Sequence, residues 1–110
     1  MKKAYVAGPY RALTINGITE NMEAAAKVAK ALWRAGFAAF CPHTNSGLFD
    51  GIVPDEVFLA GDLEFLKEAD FVVMMGNWKK SNGAVKEREF ALRANIPVYY
   101  SVQEAIELEK

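Results

Sequence analysis

Residues 70–75 read DFVVMM. Behind the aspartate the run is unbroken apolar, with two β-branched valines and no alternation. A strand with one wet face would alternate, so this segment is predicted to be buried on both faces, as in a parallel sheet covered by helices on each side. Working outward, Ser81 caps a helix reaching to about Asn95, IPVYY (96–100) reads as a strand, and 102–109 as a short last helix. In the other direction, Asp55 caps a helix to about Ala69, residues 42–54 form a loop rich in Pro, Asn, Ser, Gly and Asp, and FAAFC (37–41) is a strand closed by Pro42. Before it, Met22, Ala25, Ala26, Ala29, Leu32 and Trp33 recur at helical spacing, which predicts a helix over about 19–35 with Trp33 in the core and Gly36 as its stop. KAYVA (3–7) is the first strand and ends at Gly8-Pro9.

Strands and helices therefore alternate along the chain. That pattern predicts an α/β fold: one domain over residues 1–110, a three-layer α/β/α Rossmann-like (flavodoxin-like) arrangement with a parallel sheet of four to five strands. Open parallel sheets bind ligands outside the carboxyl ends of their strands. The segments to search are 8–18, 42–55, 76–84 and 101 onward.

With 13 basic and 14 acidic residues the net charge is −1, which excludes the broad basic face of a nucleic-acid binder. Any anionic partner must be small and met by a few local cations. Cys41 is the single cysteine, so no internal disulfide or CxxC metal site can form. No apolar run approaches the ~18 residues of a membrane span, and no signal segment is recognisable. The expectation is a cytoplasmic protein with no membrane or nucleic-acid partner.

The stretch SNGAVKEREFA (81–91) carries two glutamates. On a helix, Glu89 has Lys86 and Arg93 as neighbours and belongs to a salt-bridged solvent stripe. Glu87 has Gly83, Ala84, Phe90 and Ala91, so it points into the protein or a cavity. It is either a first-turn acid favoured by the macrodipole or a group placed for chemistry. Asp62 sits among Phe58, Leu59, Phe65 and Leu66, and is either a local cap after Gly61 or a site residue. After the first strand, GPYR (8–11) offers Gly8 for close approach and Arg11 as an anion clamp, with Tyr10 between them, although no GxGxxG follows. Ser81 and Gly83 open a helix whose free N–H groups suit an anion, and Ser81 is also a plain N-cap. His43 lacks a second His or Cys for a metal site and reads as a loop or pocket-wall residue. Trp78 lies in a strand-to-helix loop, free either to stack on a flat base or to pack the loop.

AYVAGPYR, GDLEFLKEADFVVMM and SNGAVKEREFA, in this order over about 4–100, resemble the nucleoside 2-deoxyribosyltransferase superfamily. The sequence is similar above all to its 2′-deoxynucleoside 5′-phosphate N-hydrolases and to small bacterial and phage proteins without assigned function. The family pattern Gly-x-x-x-Glu-x-x-x-Ala falls on Gly83, Glu87 and Ala91, which implies Glu87 as the nucleophile that attacks C1′ of the sugar. The Asp-Leu-x-x-Leu pattern falls on Asp62, Leu63 and Leu66 and implies Asp62 as the acid acting on the leaving base. Tyr5 matches the tyrosine that orients the carboxylate. Six residues before the nucleophile the hydrolases carry Ser, here Ser81, where the transferases carry Asp, which implies a 5′-phosphate held by Ser81, Gly83 and Arg11.

The resemblance implies a nucleotide N-glycosidase working on a (deoxy)nucleoside 5′-monophosphate, without metal or other cofactor, as a homodimer or larger homo-oligomer. Residues 42–55, with His43, Asn45 and Asp50, are expected to line the base pocket. A nucleoside 2-deoxyribosyltransferase and a non-catalytic nucleotide-binding module are the rival readings.

Overall fold

The computed structural model describes residues 1–110. Its strands are β1 (Lys3–Ala7), β2 (Ala38–Phe40), β3 (Phe71–Met74) and β4 (Val98–Tyr99), all parallel in the order β2-β1-β3-β4. The helices are α1 (Ile15–Arg34), α2 (Pro42–Asn45), α3 (Asp55–Leu66), α4 (Asn82–Arg93) and α5 (Val102–Glu109), with a 3-10 turn at Trp78–Lys80. None of them is long and apolar enough to cross a membrane. The architecture is the expected three-layer α/β/α fold with a four-stranded sheet.

β3 is buried along its whole length, and β1 is buried from Ala4 onward. Their alternating side chains feed two cores. Ala4, Val6, Phe71 and Val73 pack against Ala25, Ala29 and Leu32 of α1 and Ala105 of α5. Tyr5, Ala7, Val72 and Met74 face the other way, toward Leu66 of α3 and Ala84 and Ala91 of α4. The register pairs Val6 with Val73 and Ala7 with Met74, so β1 and β3 end together. The chain leaves β1 toward one layer and β3 toward the other, which makes their carboxyl ends the topological switch point of the sheet.

Several expectations shift. α1 begins at Ile15, earlier than the periodicity suggests, because Thr14 caps it by accepting from the Gly17 N–H. Residues 42–45 form a short helix inside the expected loop, with Pro42 at its first position, where the missing N–H is harmless. Asp55 is the first residue of α3, while Pro54 occupies the cap position. β4 shortens to two residues because Pro97 offers no N–H to the ladder. Trp33 is 54% exposed rather than in the core: the inner row of α1 is Ala25, Ala29 and Leu32, and Trp33 turns about 100° past it.

Candidate active site

A cavity of about 470 Å³ opens at the carboxyl ends of β1, β2 and β3. Three of the four searched segments line it; residues beyond 100 do not. Its walls come from the loop after β1, from α2 and the loop behind it, from one face of α3, and from the start of α4.

Glu87 lies at the bottom. It is 6% exposed, on the inward row of α4 with Ala84 and Ala91. The Tyr5 hydroxyl, buried in the sheet, donates to the Glu87 carboxylate. Burial pushes the Glu87 carboxyl up to about 8; the Tyr5 bond pulls it back only in part, and the charge of Asp62 adds to the rise. Tyr5 itself is held protonated by burial and by the neighbouring Glu87, which keeps it a donor. Phe40 stacks on the Tyr5 ring at 5.6 Å and fixes its plane. Glu89, two residues on and about 200° around the helix, is exposed and makes no ion pair, so the solvent stripe forms without its expected salt bridges.

Asp62 lies inside α3 and caps nothing; its half-buried side chain faces the cavity. Burial raises its carboxyl to about 6. Phe58 and Leu59 beside it form the apolar part of the same wall. Two acids with raised and unequal proton affinities in one cleft are the usual equipment of acid–base and nucleophilic chemistry.

At the other side, Ser81 caps α4 and its oxygen accepts from the Ala84 N–H. Gly83 follows in the first turn. A side-chain carbon built there would meet only the Ser81 oxygen, at 3.8 Å, so the protein's own packing does not demand a glycine. Gly8 differs: a Cβ there would come within 2.4 Å of Met75, so its glycine is required by the β1–β3 contact.

His43 is buried, with Nε2 2.8 Å from the Pro9 carbonyl and 3.1 Å from that of Gly8. Two acceptors place the proton on Nε2. Burial lowers its proton affinity, against the pull of those carbonyls, so it stays neutral and pins the loop after β1 to α2. Its Nδ1 faces the buried Cys41 thiol at 3.6 Å. Tyr10 lines the cavity, donates to Asp50 and accepts from the Leu48 N–H at 2.7 Å. Arg11 also lines it, but its guanidinium is paired with Asp50 at 3.3 Å and with Asp55.

Two expected members stand outside. Asn45, at the end of α2, is exposed and turned away, and Ser46 takes the place at the wall. Trp78 packs beside α4, with the Arg88 guanidinium 4.9 Å from its ring and Tyr100 at 6.0 Å, and does not line the cavity. Sequence reasoning in turn missed Lys80 and Lys86, both on the cavity wall, because a lysine in a loop or on a helix reads as solvated until its neighbours are known. No cluster of His, Cys, Asp and Glu side chains suited to a metal ion occurs.

A model of the family described as a domain of unknown function (DUF4406) matches residues 2–100. Among solved structures, the chain is similar to a 2-deoxyribosyltransferase from the psychrotolerant bacterium Bacillus psychrosaccharolyticus. Identity is 21% and the TM-score 0.66, over 87% of this chain and 69% of that one. It is also similar to a conserved protein from Enterococcus faecalis V583, at 20% identity and a TM-score of 0.64, over 89% of this chain and 61% of the other. No protein of curated function matches it in sequence. At these identities the likeness is one of fold.

Proposed function

The chain belongs to the DUF4406 family, and for it we propose a nucleotide N-glycosidase activity, cleaving the base–sugar bond of a (deoxy)nucleoside 5′-monophosphate. The observation that carries this reading is Glu87: a buried carboxyl held by the Tyr5 hydroxyl at the bottom of a cavity that Asp62 also lines. The ionised Glu87 attacks C1′, the bond from C1′ to the base nitrogen breaks, and Asp62 gives its proton to the leaving base. Water then cleaves the glycosyl ester, losing its proton to Asp62 and returning Glu87 to the carboxylate. Burial favours the covalent stage, because ester formation removes an anion from a poorly solvated place. The paired-carboxylate logic is that of retaining glycosidic cleavage.

Ser81 and the first turn of α4 suit the 5′-phosphate: N–H groups at a helix start favour an anion, and Gly83 keeps the approach open. His43, Gly8 and Tyr10 shape the wall around the sugar. A homodimer or larger assembly belongs to the same reading. Leu13, Leu48, Phe49 and Ile52 stand exposed on the loops after β1 and α2, and Ile15 at the start of α1, where a partner subunit would cover them. A reducing cytoplasm is the matching compartment for a chain whose one cysteine is free and buried.

The test is a panel of ribo- and deoxynucleoside monophosphates and their nucleosides, incubated with the protein and with Glu87→Ala, and scanned for free base by chromatography. Free base from monophosphates alone, lost in the variant, is the expected result. Exchange only when a second base is supplied would favour a 2-deoxyribosyltransferase, the activity of the Bacillus neighbour. Tight nucleotide binding with neither outcome would leave a binding module.

A further inference from the structure

Charges along the cavity wall are unevenly engaged. Glu87 is bonded to Tyr5, and Arg11 is held between Asp50 and Asp55. Glu56 and Asp62 are free acids. The only cations of the wall without a carboxylate partner are Lys80 and Lys86, which take part in no ion pair and no side-chain hydrogen bond. They bracket the start of α4. Lys80 precedes the Ser81 cap, and Lys86 lies three residues after Gly83 on the same helix face. Long helical side chains lean toward the N-terminus, which from Lys86 is the direction of the Asn82–Gly83 turn, and all three residues line the cavity. At Gly83 no side chain stands in its way.

We propose that Lys80 and Lys86 are the residues that read the substrate's phosphate, and that Arg11 is a positioning residue which ties the loop carrying Asp50 and the start of α3 across the mouth of the cavity. The inference rests on the nucleotide reading above. Its physical content is a division of labour. An exposed arginine whose charge is already countered by two carboxylates attracts a further anion less than two unpaired ammonium groups do. The lysines also counter the acidic wall, which would otherwise repel a phosphate.

The experiment is calorimetric titration of the whole chain with ribose 5-phosphate and, separately, with ribose, for the parent and for Lys80→Gln, Lys86→Gln, the double lysine variant and Arg11→Gln. Each lysine substitution is expected to weaken ribose 5-phosphate by roughly tenfold, as for one charge-assisted contact, and the pair by roughly a hundredfold. Arg11→Gln is expected to change it less than about threefold while lowering the melting temperature, and ribose binding should stay the same in every lysine variant. Unchanged phosphate affinity in the double variant, a larger loss in Arg11→Gln, or no binding of ribose 5-phosphate by the parent would each overturn the assignment. Turnover is read separately. Monophosphate cleavage indifferent to both lysines sinks this inference and leaves the glycosidase. Lysine-dependent binding without cleavage of any substrate does the reverse.

Discussion

Glu87 in its ionised form opposes folding, and the opposition can be measured without knowing the substrate. Its carboxyl is raised to about 8 in the fold, chiefly by burial, against an ordinary value of about 4.3 in an unfolded chain. Between those values the folded state holds a proton that the unfolded state has released. The associated stability is complete below the unfolded value and is lost as pH rises through the folded one. Glu87→Gln removes this ionisation while keeping an acceptor for the Tyr5 hydroxyl. Its melting temperature should match the parent near pH 4 and exceed it by roughly 5 °C or more at pH 9, with cleavage reduced by roughly three orders of magnitude or more. A uniform offset at all pH values would show that the carboxyl is not buried as described. The pair also sets the rate profile. Asp62 near 6 and Glu87 near 8 titrate together, and the working form carries one proton between them. Cleavage should follow a bell with limbs near those values. In Asp62→Asn the alkaline limb should vanish, leaving a low rate that climbs to a plateau as Glu87 ionises.

At the scale of the element, α4 combines two roles in its first turn. A glycine costs a helix interior about 1 kcal/mol relative to alanine and less in the first turn, where Gly83 stands, yet packing does not require it. Gly83→Ala should therefore raise the melting temperature by a few degrees at most, as expected for less than about 1 kcal/mol in a chain of this size, and weaken ribose 5-phosphate because the new methyl group projects into the approach. Chemical denaturation and calorimetry on the same sample check both halves. This helix also marks how far the sequence could be read. The small and apolar neighbours of Glu87 point it inward, and the observed inward row, Ala84, Glu87 and Ala91, follows them. The unbroken DFVVMM run gives β3, and β3 with its flanking helices gives the layers. What escaped depends on tertiary context. Trp33 shares helical spacing with core residues but sits one position off their row, and Asn45 and Trp78 lie in the right segments with their side chains turned elsewhere. The capture of Arg11 by Asp50 and Asp55 joins segments about 40 residues apart, and no local pattern announces it.

For the molecule as a whole, the sheet order concentrates the chemistry at one end. β1 and β3 lie side by side and finish level, so the loop after each opens into the same cleft, while β2 and β4 occupy the edges. The Tyr5–Glu87 bond spans that arrangement, joining groups 82 residues apart. Tyr5 is synthesised 82 residues ahead of its partner. The Tyr5–Glu87 bond can therefore form only once β3 has docked on β1 and α4 has closed over them. Closure of the α3–α4 layer and the setting of the buried Glu87 carboxyl against Tyr5 are one event, so the bottom of the cavity is finished only when that layer is.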